Sequence, residues 1–144
     1  MINLNSIQLF LWAFALNMIL IFSSVFILMF SRLYMLRKRM VKMSYFRVYE
    51  GSAELTNFSI QSNRNYSNHF EINILFFVLL AFSLLLGYTS QFAQVCALVF
   101  AISRLGHMIV HLTFNDVNVR FGFFATGVVT LLIWFVGLVV SFSG

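Results

Sequence analysis

The sequence contains no proline, a single cysteine and only four acidic residues in 144. Without proline, no helix in this chain carries a proline kink. One thiol, Cys96, excludes an internal disulfide. Cys96 lies among apolar neighbours with no basic residue near it in sequence, so it reads as a packing group rather than a reactive thiol. Charge of either sign is scarce. Charged residues make up 9% of the chain and hydrophobic ones 61%, with a mean hydropathy of +0.93. Soluble domains of this length carry far more charge. The composition is that of an all-α polytopic membrane protein, unusually rich in phenylalanine at 19 residues.

What charge there is falls in one place. Arg32, Arg37, Lys38, Arg39, Lys42 and Arg47 form a basic stretch directly after the first apolar run. No recognition motif accompanies it, so the net charge of +5 does not point to nucleic acid. It has the character of a cytoplasmic juxtamembrane loop facing anionic lipid headgroups.

The apolar runs set the organisation. Residues 7–30 are long enough to cross about 30 Å of hydrocarbon at about 1.5 Å per residue. The length of that run, the absence of basic residues before it and the basic stop after it favour a retained span over a cleaved signal peptide. Further spans are expected over residues 68–88, 92–114 and 121–142, with a long loop over about 31–67. The chain is therefore expected to form a single four-helix membrane domain over 1–144, with no internal repeat. Arg64 and Arg120 share the side of the basic loop, so both termini are placed on the non-cytoplasmic side. Asn57-Phe-Ser and Asn65-Tyr-Ser match the glycosylation pattern but carry no meaning on a cytoplasmic loop. Asn17, in the middle of the first span, is expected to hydrogen-bond another helix. The fourth span carries no ionisable side chain and is expected to serve packing and the lipid surface.

Two polar stripes break the apolar pattern. Arg64, Asn68 and Glu71 (i, i+4, i+7) fall within an arc of about 60° on one helical face. A carboxylate inside a bilayer costs about 2.5–3.5 kcal/mol when unpaired, so Glu71 calls for a partner. Arg104, His107 and His111 (i, i+3, i+7) line one face of the third span. These stripes are expected to face each other, or neighbouring subunits, and to build the protein's chemical site.

Arg64-x-x-x-Asn68-x-x-Glu71, opening the second of four spans, resembles the signature of the MAPEG superfamily, the membrane-associated proteins of eicosanoid and glutathione metabolism. That superfamily includes microsomal glutathione transferase, leukotriene C4 synthase and membrane prostaglandin E synthase. The resemblance extends to the length, the four spans and the long first loop. Arg104-Leu-Gly-His107 resembles the Arg-x-x-His of prostaglandin E synthase, and Arg120 falls at the spacing of that enzyme's thiolate-stabilising arginine. The stretches Tyr45–Glu50, Asn65–Glu71 and Arg104–Arg120 look closer still to a bacterial branch of the superfamily.

The resemblance implies a homotrimer in a bacterial inner membrane, in contact with lipid, with a glutathione site between subunits at the cytoplasmic side. It implies that Arg64, Asn68, Glu71, His107 and Arg120 contact glutathione. Arg104 and His111 join them as candidate binding residues, and Arg120 is the candidate catalytic group. Arginine suits the two carboxylates of glutathione through paired hydrogen bonds, and Glu71 suits its amino group. A positive charge at Arg120 would favour a bound thiolate, which attacks a lipophilic electrophile or peroxide. The chain departs from the pattern at His111, where the enzymes have tyrosine, at Leu75, where several have proline, and at Ser67, where prostaglandin E synthase has arginine.

Each residue also has a plainer reading. Arg64 can snorkel to headgroups. Glu71 and Arg104 can form a structural ion pair, and His107 and His111 can donate to backbone carbonyls or to Glu71. Arg120 can simply mark the end of the fourth helix, and Asp116 can be a solvated turn residue. Competing functions are a non-catalytic trimeric scaffold or lipid-binding protein, and a metal site built on His107 and His111 with Glu71 or His69.

Overall fold

A computed structural model of the chain describes residues 7–48 and 55–143. Tyr49 and Glu50 of the Tyr45–Glu50 likeness lie outside the described residues. The elements are α1 (Gln8–Arg37), a single turn α2 (Tyr45–Val48), α3 (Asn57–Leu85), α4 (Gln91–Leu112) and α5 (Val117–Phe142). α1, α3, α4 and α5 are each long and apolar enough to cross a membrane, and the chain is an integral membrane protein.

Short polar side chains start the later helices. Thr56 accepts the amide of Ser59 at 3.1 Å, Ser90 that of Ala93 at 3.2 Å, and Asp116 that of Val119 at 2.9 Å. Asp116 is thus the N-cap of α5 as well as an exposed turn residue. The amide of Leu9, in the first turn of α1, donates to Gln94 Oε1 of α4 at 3.3 Å, which satisfies one orphan donor inside the bundle. α3 ends at Gly87, whose φ of +70° is the left-handed position that closes a Schellman turn. The amide of Tyr88 reaches back to Ser83 O at 2.7 Å and that of Gly87 to Leu84 O at 3.3 Å.

Residues Phe10, Ala13, Asn17, Leu20, Ser24, Leu28, Ser31 and Met35 form one buried stripe on α1, spaced three or four apart. α1 lies against α3 and α4, and α4 is the most enclosed of the spanning helices. α4 and α5 pack closely because small residues face each other. A methyl group on Gly127 would come 2.9 Å from Ser103 Oγ and 3.5 Å from the Phe100 ring. α3 and α5 diverge, leaving between them an apolar groove of about 550 Å³ lined by residues that include Leu75, Val78, Phe82, Leu132 and Phe135.

The interior changes character along its length. Toward the α1 N-terminus it is aromatic. Phe10, Phe76, Phe100 and Trp134, one from each spanning helix, are all buried. Phe76 stacks on Phe100 at 5.0 Å, Phe10 stacks on Trp134 at 5.4 Å, and Trp134 Nε1 donates to Ser83 Oγ at 3.1 Å. Toward the basic stretch many of the buried side chains are polar, set among Leu20, Leu28, Met35, Met108 and Val110: Asn17, Ser24 and Ser31 of α1, Asn65, His69 and Asn73 of α3, and Arg104, His107 and His111 of α4.

Two sequence expectations change here. About half of the segment read as a loop over 31–67 belongs to spanning helices, because α1 continues to Arg37 and α3 begins at Asn57. Serine and asparagine are weak helix formers, but in α3 they bond backward along the helix. Ser62 Oγ donates to Phe58 O at 2.7 Å and Asn68 Nδ2 to Arg64 O at 2.9 Å. Packing of Ser59, Ser62, Asn65 and His69 inside the bundle supplies the rest. Asn17 does not reach another helix through its amide nitrogen. Nδ2 donates to Ala13 O, one turn back, at 2.9 Å, and Oδ1 has no partner among the described residues.

Candidate functional site

α3 presents its polar residues on two faces. Arg64 and Glu71 are exposed and Asn68 half-buried, so this stripe lies on the outside of the single chain, on one face as its spacing predicts. Asn65, His69 and Asn73, at i, i+4 and i+8, point inward and are fully buried or nearly so. On α4, Arg104, His107 and His111 are all buried. The two stripes singled out from sequence therefore do not face each other as side chains. Among the described residues Glu71 forms no ion pair with Arg104, which instead donates through Nη2 to the backbone carbonyl of Asn68 at 3.4 Å. The reason is geometric. The buried arc of α3 is taken by Asn65 and His69, which turns Glu71 away from α4.

The stripes do meet at the basic end. A cleft of about 270 Å³ is lined by Asn57, Gln61 and Arg64 of α3, His111 of α4, and Asn115 and Arg120 at the turn into α5. Arg120 is held from both sides. Its Nη1 donates to Asn115 Oδ1 at 2.7 Å and approaches His111 Nε2 at 3.5 Å. Asn115 has a φ of 49°, a left-handed conformation that asparagine tolerates better than most residues. Its amide closes the end of α4 by donating to Val110 O at 2.8 Å.

These contacts fix two tautomers. A carbonyl only accepts, so His107 Nδ1 carries the proton that reaches Arg120 O at 3.2 Å. An arginine only donates, so His111 Nε2 offers its lone pair to Arg120. The lone pair at Nε2 keeps His111 neutral, whereas the contact of His107 requires only a proton on Nδ1; His107 Nε2 and His111 Nδ1 have no partners among the described residues. The rings sit edge to face with centroids 5.6 Å apart. Among the described residues no three histidine, cysteine or acidic side chains converge in a way that would hold a metal ion.

The cleft thus gathers Arg64, His111 and Arg120 from the sequence-derived candidates, with His107 directly behind Arg120. Asn68 and Glu71 continue the Arg64 face outward, and Arg104 lies deeper inside the bundle. Arg64 and Arg120 have no carboxylate partner among the described residues, which leaves the cleft cationic. The sequence assigns no site role to Gln61, Asn115 or Asn73, marks Asn65 only within a glycosylation match and the family likeness, and offers His69 only as a metal ligand. The i, i+4, i+8 spacing of Asn65, His69 and Asn73 was the available signal for the interior set.

Searches among curated proteins and among solved structures returned no significant match. The sequence does match the MAPEG family over residues 9–140, nearly its whole length. Four spanning helices with the Arg64, Asn68 and Glu71 stripe on one face of the second agree with that match. The chain belongs to the MAPEG family.

Proposed function

We propose that this protein is a thiol-dependent membrane enzyme, a glutathione transferase or peroxidase for lipophilic electrophiles, working as a homotrimer. The observation that carries the reading is the convergence of Arg64 and Arg120, without carboxylate partners among the described residues, on one open polar cleft. The donor set fits an anionic tripeptide. Arg64 and Gln61 offer donors to a carboxylate, and Asn68 and Glu71 extend the same face toward a neighbouring subunit. Glu71 is exposed on the single chain, and a facing subunit would give it both shelter and an amino group to accept from.

Arg120 is the proposed catalytic group. Asn115 and His111 aim its guanidinium, and a fixed positive charge beside a thiol favours the thiolate. Bound glutathione supplies the nucleophilic sulfur. His107 braces the α5 end through the Arg120 carbonyl, and Arg104 supports α3 through the Asn68 carbonyl. The apolar groove between α3 and α5 is the proposed approach for the lipophilic substrate. In this reading the basic stretch and the cleft face the cytoplasm of a bacterial cell, with the protein in the inner membrane.

Difference absorbance in the ultraviolet, which detects the thiolate, tests this assignment. Wild-type protein in detergent should show the thiolate band on adding glutathione near neutral pH. Arg120→Ala should bind glutathione without the band, and Arg64→Ala should bind it weakly or not at all. A band of undiminished size in Arg120→Ala would contradict the role given to that arginine.

The groove between α3 and α5 also favours a second reading, a non-catalytic trimeric scaffold that binds an acyl chain there. A folded trimer that binds lipid but neither binds nor is protected by any thiol would support it.

A further inference from the structure

We propose that the polar half of each bundle holds a second, interior site, which binds a small monovalent inorganic anion of the halide class beside Arg104 and His69. Arginine remains charged in any protein environment. Arg104 is 0% exposed, yet among the described residues it meets no carboxylate. Glu71 is on the exposed face of α3, and Asp116 is exposed at the start of α5, capping Val119. The guanidinium has one long bond to Asn68 O at 3.4 Å and lies 6.0 Å from the Phe124 ring, at the limit of a cation–π contact. Its Nε and Nη1 have no partner among the described residues.

The neighbours are donors in the same condition. His69 is 0% exposed, neither ring nitrogen has a partner among the described residues, and it directly follows Asn68, whose carbonyl Arg104 touches. A neutral imidazole keeps one N–H in either tautomer. The bond from Arg104 to Asn68 O and the stacking of Phe76 on Phe100 fix the register of α4 against α3. In that register Asn65 and Asn73 lie one turn to either side of His69, each with its amide nitrogen unpartnered among the described residues. Asn17 shares the level of Asn73, since Phe14 meets Phe77 one turn further on. The aromatic layer of Phe76 and Phe100 closes the polar half at that end.

Ordered water would satisfy the amide dipoles but would leave the buried positive charge without a counter-charge. A cation is repelled by Arg104. A small monovalent anion neutralises the guanidinium and accepts several N–H groups at once. This site is inside the bundle, behind Asn68, and does not depend on the thiol reading of the outer cleft.

The test is thermal unfolding of the purified full chain in detergent, with chloride exchanged for gluconate at constant ionic strength and pH. Wild type should show a saturable rise in Tm of several degrees with chloride. Arg104→Met removes the charge that needs the ion, so it should fold and lose the chloride response. Identical curves in chloride and gluconate for wild type would overturn the proposal, as would a chloride response that persists in Arg104→Met. Should the variant fail to fold, wild-type crystals grown in bromide decide the matter. An anomalous peak beside Arg104 supports the site, and its absence in well-ordered density overturns it.

Discussion

Arg120 depends on one side chain that sequence reasoning gave no role. Asn115 accepts from its guanidinium at 2.7 Å while occupying a left-handed turn. Asn115→Gly keeps that backbone conformation and removes the acceptor. We expect thermal stability to change by less than about 1 kcal/mol, while the thiolate signal of bound glutathione falls as Arg120 loses its anchor. Asn115→Ala should cost about 1 kcal/mol more than the glycine variant, because a Cβ disfavours a positive φ. Unfolding curves and thiolate absorbance of the pair separate the backbone effect from the positioning effect. Trp134 is a residue of the opposite kind, purely structural. It stacks on Phe10 and donates to Ser83 from the centre of the aromatic layer. Trp134→Ala should destabilise by about 3–5 kcal/mol, and Trp134→Phe by less, as read by unfolding in detergent.

At the scale of the helices, much was legible in the sequence. Hydropathy points to four spans, and four helices are long and apolar enough to cross a membrane; the i, i+4, i+7 spacing puts Arg64, Asn68 and Glu71 on one face, where the structure has them. Helix ends were not legible in the same way. Hydropathy reports where a chain is apolar, whereas Thr56 and the backward bonds of Ser62 and Asn68 carry α3 into a polar stretch. Nor could spacing say which of two polar faces of α3 turns inward. Asn65, His69 and Asn73 won that position over Arg64 and Glu71, because a guanidinium and a carboxylate cost more to bury than neutral side chains. With Glu71 left on the exposed face of α3, it does not reach Arg104, which is buried on α4. The closeness of α4 and α5 yields a prediction at this scale. Gly127→Val would force branches into Ser103 Oγ and the Phe100 ring. It should cost about 1–3 kcal/mol or more, and more than Gly122→Val, since a Cβ on Gly122 meets nothing within 4 Å.

Across the whole molecule, the charges on α3 ask for something outside the single chain. An exposed Glu71 beside exposed Ile74 and Leu75 has no partner within the bundle among the described residues. In the proposed trimer, that stripe faces the next subunit and closes the thiol cleft. Glu71→Gln should therefore lower the stability of the oligomer, seen as an earlier loss of trimer on heating followed by size-exclusion chromatography. The divided interior has a matching logic. An aromatic layer at one end holds the bundle together, and a polar half at the other end supports the cleft from behind.

Arg64 and Arg120, in the proposed reading, build a thiol site at the basic end of the bundle. Thermal unfolding of the detergent-purified protein, titrated with glutathione, tests it most directly, with wild type and Arg64→Ala measured side by side. A ligand at one hundred times its Kd adds about 2.7 kcal/mol of stability. Wild type should show a dose-dependent rise in Tm that is absent in Arg64→Ala. A flat response from a folded wild-type protein at millimolar glutathione would contradict it.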